Sequence, residues 1–296
     1  MNFFAATEKE KVMLNILNKE TGEVLFQLLT ETMVRADLRD ADLRKADFSH
    51  ADLSGALFVG ADLRGADFSD AILQGAVMYN CQMSGAKFTK ADLRKIRLGH
   101  ENRSQAAVMD SCDLTGAQLV EADLRNVDLH GSHLSGVDMS NANAAHACFN
   151  EAIMPDANFQ NANLIGTNLR RTNMQRANLC NCQMNTALMS EADLTDAIIT
   201  STDNGVHARL DWANLREAKL VGAKMQDIFM IDADLRQANL ENADLTGAIM
   251  CGSILRGANV RGANFLDVEL ASVTMSFANF SEAQNADIPS GKKDLR

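Results

Sequence analysis

Residues 36–70 read ADLRD ADLRK ADFSH ADLSG ALFVG ADLRG ADFSD, one five-residue unit written seven times without a gap. Label the central apolar residue of each unit i. Position i is then large and apolar, i−2 is small, and the two stand two residues apart, as side chains on one face of an extended strand do. Position i+2 is Gly, Asp or a similar residue that enters left-handed backbone or turns at low cost, so a corner follows every short side.

The unit keeps its register through residues 36–100, 107–201 and 208–287, with 13, 19 and 16 copies, 48 in all. Position i holds 24 Leu, 12 Met and 8 Phe, and 35 of the i−2 positions are Ala, so the pattern describes one continuous apolar interior. At i+2 stand 14 Gly, 8 Asp and 6 Asn. Position i−1 is largely Asp or Asn, which hydrogen-bonds nearby backbone. These features predict an all-β solenoid, in which each unit packs only on its neighbours and length grows without a larger core.

Ala36-Asp37-Leu38-Arg39-Asp40 matches in full the A(D/N)LXX unit of the pentapeptide-repeat family, and the resemblance covers residues 36–287. It implies a right-handed quadrilateral β-helix with four units per coil, hence about 12 coils. Period five alone requires corners and does not fix four per turn. Two six-residue stretches interrupt the register, ENRSQA at 101–106 and TDNGVH at 202–207. Each is one side plus one residue, the size of a bulge, and if each replaces a side the two lie five coils apart on the same face. On that numbering seven of the eight Phe at i fall on odd-numbered sides, as if opposite walls share the bulky residues.

The ends do not repeat. Residues 1–35 are expected to form a short N-terminal helical cap: Thr7 and Glu10 make a capping-box pattern, and Val12, Met13, Ile16 and Leu17 recur at helical spacing. The helix would run from about Thr7 to Lys19, with a second helical turn or two after Gly22. The tail, residues 288–296, is too short for a helical cap. It is expected to leave an apolar end around Leu270, Met275, Phe277 and Phe280, and so a homodimer formed through the C-terminal coils.

The formal net charge of −11 argues against direct nucleic-acid binding, which needs clustered cations. No apolar run is long enough to span a membrane, the first residues do not resemble a secretory signal, and the six cysteines form no disulfide framework; the expected location is the cytoplasm. No catalytic, cofactor or metal constellation is visible. His130 and His133 are separated by a corner, and Cys180 and Cys182 point to opposite sides of the wall. The expected function is therefore a non-catalytic rigid scaffold that binds another protein. The resemblance also implies an alternative, a DNA-mimicking modulator or protector of a type II topoisomerase. That role calls for acid along one face, whereas the three blocks carry net charges of 0, −7 and −4.

The expected partner site consists of surface residues that break the polar rule. Leu188, Trp212, Phe229 with Ile231, and Ile249 with Cys251 are predicted to stack on one face. Arg216, Arg236 and Arg256 repeat every 20 residues on the next. Trp and Phe anchor interfaces, and arginines fix the register of an acidic partner.

Overall fold

The computed structural model describes residues 13–201 and 205–295, with side chains through residue 292. Parallel bridges join i−1 residues 20 apart, beginning with Asp37 to Leu57, Asp42 to Asp62, Asp47 to Asp67 and Asp52 to Ile72. Four sides therefore make one turn. The first-face ladder runs from Asp37 to Ile249, the second from Asp42 to Thr274, the third from Asp47 to Asn279 and the fourth from Asp52 to Gln284.

One rung shows how the coils hold together. Leu38 N–H donates to the carbonyl of Leu57 at 2.8 Å, and Leu57 N–H returns a bond to Ala36 at 2.9 Å. The corner is closed by Ala46 N–H donating to Leu43 at 3.0 Å, and the residue between, Lys45, has φ of 58°. The Asp or Asn at i−1 accepts from the N–H at i+1, as Asp47 does from Ser49 at 3.0 Å. Where Asn follows Asn or Asp up a ladder, amides chain between coils: Asn178 donates to Asn158, and Asn158 to Asp138, each at 3.0 Å. The interior is a column of i and i−2 side chains from Leu38 to Phe280, with Phe48, Phe68 and Phe88 stacked on successive rungs at 4.8 Å between ring centres.

The two interruptions are extra residues at corners and replace no side. Arg97 is followed on the next face by Val108, which bridges Gln82 26 residues earlier, so residues 101–106 add to a complete turn. Ala107 N–H donates to Leu98 at 3.0 Å, the ordinary corner bond with six residues looped out above it. Asn102 caps a single 3-10 turn there, Arg103–Gln105. Gly99 fits because a Cβ at this position would lie 2.3 Å from the backbone nitrogen of Arg125. The second insertion, of which residues 202–204 lie outside the description, likewise shifts the ladder from Gln183 to Arg209 by 26. The first stands at the corner between first and second faces and the second at the corner between fourth and first, so they flank one face from opposite edges. The expected bulk-sharing by one pair of walls changes accordingly. Phe48, Phe58, Phe68 and Phe88 lie on the first and third walls, while Phe149 and Phe159 lie on the second and fourth.

The N-terminal cap is a hairpin, which corrects the expected helix. β1 (Leu14–Leu17) pairs antiparallel with β2 (Val24–Leu28), and residues 7–12 of the predicted helix lie outside the described residues. The first coil decides the matter, because its edge N–H and C=O groups need partners that a helix cannot supply. Asp47 N–H donates to Leu17 and Lys19 N–H to Lys45, both at 2.9 Å, while Ile16 is buried against the first coil. Asn18 folds the turn through its side chain, accepting from Glu20 N–H at 2.8 Å, and Gly22 takes φ of 71°.

The C-terminal end is covered by its own tail, which corrects the expected open edge. A 3-10 helix, Ser290–Leu295, follows Pro289, and the Lys292 ammonium donates to the carbonyls of Ala271 and Val273 at 2.6 and 2.7 Å. Leu270, Met275 and Phe280 are buried within the chain, together with Ile288, and only Phe277 of the four expected edge residues is exposed. The surface that motivated a dimer is thus occupied from within.

The interior column sets stability. Leu124→Asp places a carboxylate without a partner in a buried site, and its melting transition should fall by an amount equivalent to several kcal/mol, roughly 4. Arg94→Ala, on the outer surface, should stay within about 0.5 kcal/mol. Thermal denaturation of both variants checks the assignment, and equal losses would refute it.

Candidate functional site

Arginine at i+1 is the residue through which this surface departs from its own rule. Ten units carry it: Arg39 and Arg125 on the first face, Arg261 on the third, Arg94 on the fourth, and Arg44, Arg64, Arg170, Arg216, Arg236 and Arg256 on the second. Six of the ten therefore share one of four faces. Where the same unit has Asp at i−1, the two side chains lie on the same side of the strand and close a two-toothed pair. Arg94 Nε and Nη2 reach Asp92 at 2.8 and 2.6 Å, and Arg39, Arg44, Arg64, Arg125 and Arg236 bind their own i−1 aspartates in the same way.

These pairs keep the carboxylates ionised. The Arg39 guanidinium, hydrogen-bonded to Asp37, lowers that carboxyl to about 2. Burial pushes Asp234 upward, but the hydrogen bonds from Arg236 and from its backbone outweigh it and the carboxyl ends below its ordinary value.

Four arginines lack that partner, and one of them, Arg261 with Asn259 at i−1, pairs instead with Glu241 and Glu282. Arg170, Arg216 and Arg256 have Asn168, Asn214 and Ile254 at i−1, and among the described residues none has a carboxylate within 4 Å. All three are on the second face, at rungs joined by the ladder Asn168, Leu188, Asn214, Asp234, Ile254. Two recesses lie along this stretch. One of about 380 Å³ is lined by Arg216, Arg236, Gln237, Arg256 and Phe277. The other, of about 450 Å³, takes Arg103 from the first insertion together with His146, Arg170 and Leu188.

The apolar residues do not form the single stack expected from sequence. Leu188 belongs to the second-face ladder with the arginines, because the insertion at 202–207 does not count as a side. Phe229 and Ile249 are on the first face. Trp212 stands at the corner between the two, 58% exposed, with φ of 55°, and its N–H donates to Ile231 at 2.9 Å. Ile249 is 44% exposed. Phe229 is half-buried: the Arg209 guanidinium lies 4.7 Å from its ring centre and His207 packs edge-on at 5.0 Å. The arginines 216, 236 and 256 occupy successive rungs as expected.

Sequence reasoning missed Asp211, whose side chain is completely buried. Phe229 at i−1 deprives Ile231 N–H of the usual carboxyl or amide acceptor, and Asp211 of the coil below supplies one at 2.9 Å. Its other oxygen takes Arg209 and the amide of Asn185. An acid at i+1 beside a Trp corner was the available signal. Among the described residues no three His, Cys, Asp or Glu side chains gather as a metal would require. Cys180 is partly exposed and Cys182 is buried, its thiol donating to the Phe159 carbonyl.

Four-sided coils built from A(D/N)LXX units define a class of protein, the β-helical solenoid whose interior is written in fives. The pentapeptide-repeat model (8 copies) matches residues 32–58, 61–98, 105–141, 117–154, 138–176, 157–196, 172–203, 208–252, 230–267 and 255–284, and the chain belongs to the pentapeptide-repeat family, whose members form right-handed quadrilateral β-helices. Among solved structures it is similar to HetL of the cyanobacterium Nostoc sp. strain PCC 7120, involved in heterocyst differentiation regulation, at 25% identity over 69% of this chain and 86% of that one, TM-score 0.37. It is also similar to Rfr23 of the cyanobacterium Cyanothece 51142, at 24% identity over 41% and 90%, TM-score 0.29. The third, QnrB1, a plasmid-mediated fluoroquinolone resistance protein, is 17% identical over 70% and 85%, TM-score 0.34. Comparison with curated protein sequences finds no match.

Two measurements check this chemistry. Because the paired carboxylates have lowered folded-state values, their contribution is complete above the unfolded value of about 4 and is lost as pH falls through the folded ones. The melting temperature should be flat from pH 7 to 5 and decline below about 4; a decline beginning near pH 6 would contradict the assignment. Asp211→Ala leaves Ile231 N–H without its acceptor and should destabilise by about 2 kcal/mol, which thermal melting reads directly.

Proposed function

We propose that the chain is a non-catalytic, rigid scaffold that binds another protein, docked at the corner between first and second faces. Trp212 carries this reading. A corner with φ above zero favours Gly, Asn or Asp, and a large side chain there costs roughly 1 kcal/mol in local strain. Trp212 adopts that conformation with most of its surface in water, its N–H bonded to the carbonyl of Ile231. Interface energy concentrates in such aromatic anchors. A solenoid supports the role because neighbouring coils fix each outward side chain in place.

The reading includes a cytoplasmic location, supported by six free cysteines, three of them buried where oxidation would disrupt the column. Among the described residues no helix is long and apolar enough to cross a membrane. No observation favours the DNA-mimicking alternative, since the second face carries exposed cations where a mimic needs acid.

Trp212→Asn tests the scaffold. Asn occupies corners elsewhere with the same backbone, as at Asn126 with φ of 61°, so the melting temperature should hold or rise slightly. Affinity capture from the native host should lose at least one protein relative to wild type, while Arg94→Ala should lose none. An unchanged set of captured proteins would remove this corner from consideration.

A further inference from the structure

The second face between Arg170 and Arg256 has a built-in polarity across its width. At the edge nearer the first face three of the five rungs carry an apolar group, half-buried Leu188 and Ile254 at i−1 and exposed Trp212 at the corner, among the polar Asn168, Asn214 and Asp234. At the opposite edge, position i+1, stand Arg170, Arg216, Arg236 and Arg256, interrupted only by Ser190. Three of these four have no carboxylate within 4 Å among the described residues, and Arg256 lies 6.0 Å from the ring centre of Phe277, itself 69% exposed. Apolar groups on three of the five rungs thus stand beside a cationic row that runs along the rod.

We propose that this face binds an extended partner segment in which acidic and apolar residues alternate. The proposal deepens the scaffold reading and rests on it. An extended chain lying flat along the rod points successive side chains to opposite sides, so alternation would send the apolar ones toward Trp212, Leu188 and Ile254 and the acids toward the arginines. Length agrees as well. Arg170 and Arg256 are four rungs apart, about 19 Å at roughly 4.8 Å per rung, and four acids at every second residue span about 20 Å at roughly 3.3 Å per residue.

A peptide fits this track better than a polynucleotide does. The net charge of the chain is −11, and the corner just beyond the arginines carries Glu217 together with Glu151 and Glu191, whose two charges share the single Arg171. A long polyanion would run into that acid, whereas a segment with charge on one edge only would not. Asp234 acts as a built-in brake: it binds Arg236 and withdraws one of four cations from the row. Asn stands at the same ladder position in Asn168 and Asn214, so the fold accepts Asp234→Asn without rearrangement.

The test uses fluorescence anisotropy with the full chain and a labelled, end-capped octapeptide of four Glu-Leu pairs, its Gln-Leu counterpart, and an eight-nucleotide single-stranded DNA. The Glu-Leu peptide should bind at least tenfold more tightly than the other two, with affinity falling as salt rises. Replacing Arg170, Arg216 and Arg256 together by Gln should weaken it at least tenfold. Arg44→Gln with Arg64→Gln, which removes paired arginines from the same face, should leave it unchanged. Asp234→Asn should tighten it about threefold, and needs no loss of stability to be read. Equal binding of the Glu-Leu and Gln-Leu peptides, an unaffected triple variant, or tighter binding of DNA would overturn the proposal. The scaffold reading fails separately, through the Trp212→Asn capture, and would survive a negative peptide result if that capture were still lost.

Discussion

The structure depends on a single backbone exchange repeated at every rung, in which the N–H at i donates to the coil above and the next i−1 N–H donates back. Each side is too short to form a strand of its own, so one rung contributes little, and only continuity of register makes the ladder. That continuity requires a corner after every side. The positive-φ residue at i+2 is consequently as much a part of the hydrogen-bond network as the bonds themselves, and the interior column exists because the corners bring i and i−2 of every side to the same axis.

Two places show how far the ladder governs local propensity. The sequence near Ile16 has helical spacing, yet the first coil offers a row of open N–H and C=O groups, and pairing with that edge wins over periodicity as β1. At the other end Lys292 reaches the Val273 carbonyl, which the next coil would have served. Both ends of the described solenoid are shaped by the same unsatisfied edge.

The repeating interior was legible because i, i−2 and i+2 are each fixed by one local requirement: volume, smallness and tolerance of left-handed backbone. The insertions were not, since length alone does not say whether six residues replace a side or loop out above an intact corner. The hydrogen bond from Ala107 to Leu98 makes the second case for the first insertion, and the bridge from Gln183 to Arg209 makes it for the second, which moves Leu188 from the stack of Phe229 to the stack of the arginines. Asp211 was hidden for a related reason. Its role arises between coils, from a Phe at i−1 twenty residues away in the ladder from Arg209, and no neighbouring residue in the chain announces it.

The surface follows a logic of its own, set by which residue shares the strand with each arginine. With Asp two positions before it, an arginine is neutralised inside its own unit and the rod gains a rigid, uncharged rib. With Asn or Ile there, the backbone is equally well served at Asn168 and Asn214, whose amide oxygens still accept from the i+1 N–H, but the guanidinium is left to solvent or to a partner. Charge on this rod can therefore be switched at one position per unit without touching the interior. Since the three arginines left without a carboxylate share one face, the charge exposed there is set by the i−1 residues of the second ladder more than by the arginines themselves.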